Sequence, residues 1–317
     1  MKNVSRETGI KKLIGKVRVA IEKYNMINEG MKIAVGVSGG KDSLTLLKAL
    51  SIIQKYYPKK FSLIAISIDM GFPVTTDWYD VEFFCKENNI EYIVKKTEIY
   101  KIVFDIRHEK CPCSLCANMR RGVLHNTALE YGCHCIALGH HIDDYVETFF
   151  MNLLNNGEIR SFFPVTYLTR KKLWMIRPLI FCKESEISNF AQRFCLPTIK
   201  SNCPADGVTE RQRVKNLIRD LEKQYPALKQ KVFGALQKMN LNLRPASECK
   251  FDAVSLGEVM LRLSPPGTDK ISQSYTFDKK AGGAELNVAS GSAVLGIRSA
   301  LITKLPENKI GHFIRNM

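Results

Sequence analysis

Residues 32–37 are mostly apolar and of strand length, and they run into a Gly-Gly turn. Residues 44–50 then resume with apolar positions at helical spacing, which predicts a strand, a tight turn and an amphipathic helix. Further short apolar runs at 63–68, 92–94 and 135–138 predict three more strands, the second strand ending at Asp69. Helical patterns fall between and after them at 77–87, 117–131 and 143–154. Strand alternating with helix predicts an α/β fold built on a doubly wound parallel sheet. Ligands of such sheets bind beyond the carboxyl ends of the strands, near the point where strand order reverses. The Gly-Gly turn, Asp69 and Gly139-His140-His141 all follow strands and are expected to converge there.

Helices flank this pattern. A helix at 11–24 carries Lys11, Lys12, Lys16, Arg18 and Lys23, and two more basic helices are predicted at 210–222 and 228–239. After Arg244-Pro245-Ala246-Ser247 the pattern changes again, to a strand at 253–256, a Pro265-Pro266-Gly267 turn and a glycine-rich stretch from Gly282. The expected organisation is therefore a basic helix in 1–30, an α/β domain carrying the Gly-Gly turn and a cysteine cluster in 31–205, basic helices in 206–245, and a separate α/β segment in 251–317. No internal repeat or low-complexity tract interrupts it.

Charge and cysteine content narrow the partners. Lys and Arg number 47 against 31 Asp and Glu, a formal charge of +16, which favours a polyanion such as nucleic acid. No run of about eighteen apolar residues occurs, and the first residues lack the apolar core of a signal peptide, so no membrane association and a cytoplasmic location are expected. Ten cysteines in such a chain point to metal ligation or redox work rather than a disulfide framework.

The turn Ser38-Gly39-Gly40-Lys41-Asp42-Ser43 reads as a phosphate cradle, because glycines let backbone N–H groups approach an anion at a helix N-terminus. It departs from a Walker A loop, in which Ser or Thr follows Gly-Lys directly. Asp42 intervenes here, and a carboxylate beside phosphates requires a cation between them, which makes Asp42 a magnesium-facing residue. Ser38, Ser43 and loop amides are expected to hold the anion, with Lys41 near its charge.

Cys113-Ser114-Leu115-Cys116 places a C-x-x-C at the start of a helix that carries Arg120 and Arg121, a setting expected to lower thiol pKa values. Redox disulfides, half-sites for zinc and iron-sulfur ligation all begin this way. Cys203, in a polar turn before a helix, is the best third thiol. Cys85, Cys133, Cys135, Cys182 and Cys195 lie among apolar residues and read as core packing. His140, His141, Asp143, Asp144 and Glu147 form a polar cluster where a strand enters a helix. Asp143 and Asp144 can cap that helix, or one of them can act beside magnesium, and spacing does not distinguish these roles.

The hexamer Ser38–Ser43 matches the signature of PP-loop ATP pyrophosphatases, an adenine nucleotide alpha hydrolase-like fold that cleaves ATP between the α and β phosphates. Together with Cys113-Ser114-Leu115-Cys116, Arg120-Arg121-Gly122, Leu138-Gly139-His140-His141-Ile142-Asp143-Asp144 and Met151-Asn152-Leu153, it makes residues 10–240 resemble the tRNA 2-thiocytidine synthetase group. The resemblance implies ATP-dependent tRNA thiolation: adenylation of C2 of a cytidine and replacement of its oxygen by sulfur. It implies ATP, Mg2+ and a [4Fe-4S] cluster as cofactors, the cluster held by Cys113, Cys116 and Cys203. Nucleotide contacts fall by position on Ser38, Gly39, Gly40, Lys41, Asp42, Ser43, Asp69, Gly139 and His140, with Asp42, Asp143 and Asp144 as catalytic candidates. A sulfur donor, either a cysteine desulfurase or sulfide, and a homodimer are also implied. The second C-x-x-C of that group is replaced by Cys203-Pro204-Ala205-Asp206, which leaves Cys111 as a candidate substitute carrier. A lysidine synthetase-like ligase, sulfur transfer to another substrate and a non-catalytic metal-binding module are the alternatives. The clustered thiols weigh against the first, and the intact loop against the last.

Residues 251–317, with Gly282-Gly283-Ala284-Glu285-Leu286-Asn287, resemble the N-terminal part of a ribokinase-type (PfkB) sugar kinase. Gly282, Gly283 and Asn287 would face the sugar in that family. Its catalytic GAGD motif does not occur here, so this segment is expected to be a truncated, catalytically incompetent fragment.

Overall fold

The computed structural model describes residues 2–107, 112–200, 202–204, 209–238, 251–267 and 270–316. Cys111, Asp206, Met239, Cys249 and the junction 244–247 lie outside the described residues. The chain divides into two compact units, Met1–Leu243 and Arg244–Met317.

The first unit is built on a six-stranded sheet in the order β3-β2-β1-β4-β6-β5. Strand β1 (Met31–Gly36) is central because nearly every residue of it is apolar and buried. It pairs in parallel with β2 (Phe61–Asp69) on one side and β4 (Cys135–Ala137) on the other, in the registers Ile33↔Leu63 and Ile33↔Cys135. Strand β3 (Glu91–Lys96) extends the β2 side, and β6 (Leu173–Ile176) the β4 side, both in parallel. Strand order thus reverses at β1, and a crevice opens between the carboxyl ends of β1 and β4.

Two departures from the expected parallel sheet occur. Strand β5 (Val165–Leu168) closes the sheet antiparallel to β6 through a tight hairpin. A helix not expected from the sequence, α6 (Glu184–Arg193), follows β6. The preceding helices are α1 (Lys2–Lys23), α2 (Lys41–Gln54), α3 (Tyr79–Glu87), α4 (Pro112–Glu130) and α5 (Ile142–Asn156). Helices α7 (Glu210–Gln224) and α8 (Leu228–Lys238) complete the unit, α7 being capped by Thr209, whose hydroxyl accepts from Gln212 N at 3.3 Å.

Apolar side chains cover both sheet faces. On one face Leu13, Val17 and Ile21 of α1, Leu44, Leu47 and Leu50 of α2, and Ile187 of α6 pack with Val35, Tyr145 and Ile218. On the other, Leu124 and Ala128 of α4 pack with Ile64, Ile66 and Ile136. Burying a side chain of Leu or Ile size stabilises by roughly 1.5–3 kcal/mol, so this two-sided core can fix polar groups at the strand ends.

In the second unit β7 (Ala253–Leu256) pairs in parallel with β10 (Ser299–Ile302), and β8 (Met260–Ser264) pairs antiparallel with β9 (Asp278–Gly282). Helix α9 (Ala284–Val294) precedes β10, and α10 (Lys309–Arg315) ends the unit. Gly283 has φ +134°, and a Cβ there would lie 2.8 Å from the Glu258 carbonyl oxygen, so this position requires glycine.

Candidate functional site

The turn between β1 and α2 closes on its own side chains. Ser38 N donates to Ser43 Oγ at 3.2 Å, Gly40 N to Ser38 Oγ at 3.4 Å, and Ser43 Oγ to the Gly40 carbonyl at 2.9 Å. Gly39, at φ +80°, lets the backbone reverse into the first turn of α2, whose N-terminal amides supply the anion-binding end of a helix dipole. Lys41 Nζ lies 3.1 Å from Glu184 Oε1 and 3.3 Å from Asp42 Oδ1. Burial works against its charge, but Asp42 and Glu184 outweigh burial and raise its pKa. Asp42 Oδ1 is buried and accepts no hydrogen bond, so its only close cationic neighbours among the described residues are the Lys41 ammonium at 3.3 Å and the His141 imidazole at 3.8 Å. A hard divalent cation satisfies such an oxygen, so the residues present fit magnesium. At the end of β2, Asp69 Oδ1 accepts from Gly71 N at 3.0 Å, which closes the turn that follows.

Beyond β4 the chain passes against this loop. A Cβ on Gly139 would meet Asp42 C at 2.9 Å and Ser43 N at 3.0 Å, so only glycine permits that approach. His141 then caps α5. Its Nδ1 accepts from Asp143 N at 3.2 Å, and its own N–H donates to Asp144 Oδ2 at 3.0 Å, a reciprocal capping box. Its Nε2 lies 3.8 Å from Asp42 Oδ1 and 3.4 Å from Asp144 Oδ2. Burial opposes its charge, but Asp143, Asp144 and Asp42 together raise its pKa. The neighbouring His140 is the opposite case: burial and the Arg177 guanidinium push its pKa down to about 3, and its ring lies tilted at 37° against Phe162 with centroids 5.2 Å apart.

The carboxylates after the capping box divide by partner. Asp143 is buried, accepts from Glu184 N at 2.8 Å through Oδ2 and pairs with Lys229 Nζ at 2.8 Å through Oδ1. Despite burial, His141, Lys229 and the Glu184 amide hold its carboxyl well below the usual range. Both of its oxygens tie α5 to α6 and α8. Asp144 and the buried Glu147 face Arg211 of α7 at 3.7 and 3.8 Å. Burial and the Asp144 charge raise the Glu147 pKa. Glu184 also holds Lys215 at 2.9 Å, so one carboxylate joins the loop lysine to α7.

Arg177, Glu184, Arg211, Lys215 and Lys229 were not legible as site residues. Each meets partners across loops and helices far away in the chain, and only the basic character of α7 and α8 hinted at them.

Three thiols lie near one another. Pro112 opens α4, so Cys113 and Cys116 occupy its first turns, Cys113 exposed and Cys116 half-buried. Burial raises the Cys116 pKa, Arg120 opposes this, and the neighbouring thiols of Cys203 and Cys113 raise it further. That reverses the lowering expected from the helix terminus and the arginines. Cys203 is half-buried and stands close enough to bear on Cys116. Among the described residues no three His, Cys, Asp or Glu side chains form a group that could hold a metal ion. Cys113, Cys116 and Cys203 remain three soft thiols, the ligand type that iron-sulfur clusters use. Cys85, Cys133, Cys135 and Cys182 are buried, as expected. Cys195 is not: it is exposed, in the left-handed region (φ +47°) just past the end of α6, where the side chain projects outward.

One connection unites loop and thiols. Ile199 N donates to the Gly39 carbonyl at 2.9 Å, and its side chain lies over Gly39, where a Cβ would meet it at 3.0 Å. Asn202 Nδ2 reaches the Val74 carbonyl at 3.1 Å. Cys203 is four residues past Ile199, so its Cα lies within about 14 Å of the residue that touches the nucleotide loop.

Comparison with known proteins identifies the family. The family model described as a PP-loop domain matches residues 7–221, and that of the pfkB family carbohydrate kinases matches residues 250–317. A tRNA-cytidine(32) 2-sulfurtransferase from Dechloromonas aromatica (strain RCB) is 38% identical over 234 residues, covering 72% of this chain and 80% of the relative. One from Yersinia pestis (strain Pestoides F) is 39% identical over 234 residues, covering 72% and 74%. Among solved structures, the U34-tRNA thiolase NcsA from Methanococcus maripaludis with its [4Fe-4S] cluster superposes with a TM-score of 0.62 at 28% identity, covering 78% of this chain and 83% of that one.

Proposed function

This chain belongs to the PP-loop family, and on that premise we propose that it is an ATP-dependent tRNA sulfurtransferase acting on C2 of a cytidine. The observation that carries the reading is the hydrogen bond from Ile199 to Gly39, because it joins the nucleotide loop to the segment bearing Cys203, the neighbour of Cys116.

The chemistry follows from leaving-group activation. The C2 oxygen attacks the α-phosphorus of ATP, the bond to the β-phosphate breaks, and pyrophosphate leaves. A sulfur nucleophile then adds at C2, and AMP departs with the original oxygen. Loop amides, Ser38, Ser43 and Lys41 hold the phosphates, and Asp42, whose buried Oδ1 accepts no hydrogen bond, would hold magnesium, which neutralises phosphate charge. Asp144 stands beside His141 and Arg211 as the second catalytic candidate. Asp143 acts by position, since it fixes α6 and α8 against α5. Asp69, Gly139 and His140 border the nucleotide at the strand ends. Cys113, Cys116 and Cys203 would hold a [4Fe-4S] cluster, which supplies an iron without a protein ligand to carry sulfur.

Exposed lysines and arginines of α1 and α7, Lys12 and Arg213 among them, would contact tRNA phosphates, whereas Lys16 is held by Glu186 at 2.6 Å. Such contacts weaken steeply with salt. A sulfur donor, a second copy of the chain and a cytoplasmic setting belong to the same reading. Among the described residues no helix is long and apolar enough to cross a membrane.

The similarity to a U34-tRNA thiolase favours one second reading, thiolation of a uridine. Mass analysis of nucleosides from tRNA of cells with and without the gene decides between them. Loss of 2-thiocytidine supports the proposal, loss of 2-thiouridine supports the second reading, and an unchanged nucleoside profile refutes both.

A further inference from the structure

Arg177, at the end of β6, is 7% exposed and has an unusual set of neighbours for a buried cation. Its Nε donates to His140 Nδ1 at 3.2 Å, its Nη1 to the Phe163 carbonyl and to Thr166 Oγ1 at 3.4 Å, and its Nη2 to Met175 Sδ at 3.5 Å. The guanidinium also lies 4.8 Å from the Phe162 ring centroid. These partners are an imidazole, a carbonyl, a hydroxyl, a thioether and a ring, and none is a carboxylate. A buried charge without a counter-charge costs several kcal/mol, and a fold that keeps one has a use for the field it creates.

That field has one polar outlet. Because His140 Nδ1 accepts from Arg177, the imidazole carries its proton on Nε2. The imidazole is held by Arg177 on one side and lies tilted against Phe162, which itself meets Tyr145 edge-on at 5.3 Å. Nε2 has no hydrogen-bond partner among the described residues, and His140 is half-buried rather than sealed in the core. His140 is joined directly to Gly139, whose backbone abuts Asp42 and Ser43 at the start of α2. Of the charges acting most on His140, those of Arg177, Arg211 and His141 are positive and only that of Asp144 is negative.

We propose that Arg177 is a positioning residue that locks His140 as a neutral Nε2–H donor and polarises it, so that this N–H stabilises the negative charge developing on the α-phosphoryl group during adenylation. A hydrogen-bonded chain from guanidinium to imidazole to phosphoryl oxygen transmits the buried charge without placing a transferable proton beside the reacting oxygen. The imidazole stays uncharged, consistent with its depressed pKa, and Arg177 remains cationic although burial lowers its pKa to about 10.

The inference deepens the adenylation reading, and its test separates the two. Long-range 15N–1H spectra of the full chain report the His140 tautomer without any reaction, and single-turnover pyrophosphate release with ATP and tRNA reports adenylation. The wild-type spectrum should show one neutral Nε2–H tautomer, mixed in Arg177→Met and retained in Arg177→Gln and Arg177→Lys. His140→Phe keeps a ring against Phe162 and should lower the maximal rate by about 10²-fold, the effect of losing one transition-state donor, while the KM for ATP moves by less than about threefold. Rates should fall in the order Arg, Lys, Gln, Met at position 177. An Nδ1–H tautomer in the wild type, or an Arg177→Gln rate equal to wild type, overturns the proposal. If wild-type protein releases no pyrophosphate with any tRNA, the adenylation reading fails, and the phosphoryl role of His140 fails with it even if the tautomer is as expected.

Discussion

The two units of this chain use the same kinds of element and bury them very differently. In Met1–Leu243 two apolar clusters sandwich the sheet, and His141, Asp143, Glu147 and Arg177 are buried among them. In the described part of Arg244–Met317, Ala289 and Gly311 are the only buried residues, while Val254, Leu256, Met260 and Leu263 of its strands are exposed. A core thick enough to enclose strand ends can hold ionisable groups at fixed distances and shift their pKa values. Two-stranded sheets with open faces cannot. The difference assigns the chemistry to the first unit on physical grounds, independently of any motif.

The largest effect expected from breaking this assignment is at the thiols. Changing Cys113, Cys116 or Cys203 to Ala should abolish the visible absorption of anaerobically purified protein, which should otherwise be brown with about four irons per chain. Cys195→Ala, exposed beyond α6, should leave it unchanged. Colourless wild-type protein carrying stoichiometric zinc would defeat the assignment. Next in size is Asp42→Asn, which keeps the volume of the side chain and removes its charge. ATP turnover should fall by about 10²-fold with an unchanged circular dichroism spectrum. Normal turnover would mean that magnesium is held elsewhere.

Two smaller effects sharpen the contrast in packing and burial. Leu47→Ala in α2, where Leu47 is 0% exposed, should cost about 2–5 kcal/mol in denaturant unfolding, whereas Leu256→Ala, where the side chain is 76% exposed, should stay within about 0.5 kcal/mol. Equal costs would show that the second unit has a core of its own. His140 then adds a pH signature. Its pKa is about 3 in the folded protein against 6.5 when unperturbed, so the unfolded chain binds the extra proton between these values. Its contribution is constant above pH 6.5 and is lost as pH falls from 6.5 toward 3, at up to about 1.4 kcal/mol per pH unit. His140→Phe should flatten stability by that slope in the window, measured by urea midpoints. An unchanged slope would place the imidazole in water.

The fold of the first unit was largely readable because its elements are strongly patterned. The buried run of β1, the glycine turn and the apolar period of α2 are local signals, and local signals also placed Cys113 and Cys116 at a helix start. The β5–β6 hairpin was missed because each strand has only four residues and Thr169-Arg170-Lys171-Lys172 lacks the usual turn glycine. Helix α6 was missed because its start is set by contacts at Asp143 and Glu186 rather than by an N-cap Ser or Asp. Arg177 and Glu184 were silent for a related reason. Their partners, His140 and Lys41, lie 37 and 143 residues away, and only the closed sheet brings them together. The partners of Asp143 were silent in the same way, since Lys229 and the Glu184 amide, which occupy both of its oxygens, lie on α8 and at the start of α6.

The most direct test of the account is a side-by-side assay of the full chain and a chain lacking residues 251–317, each reconstituted anaerobically with iron and sulfide and supplied with ATP, magnesium, sulfide and unmodified tRNA. Liquid chromatography with mass detection of the digested tRNA should find 2-thiocytidine from both proteins at the same rate, with one pyrophosphate released per sulfur introduced. Thiolation by the full chain that disappears in a shortened chain still folded and still holding its cluster would contradict it.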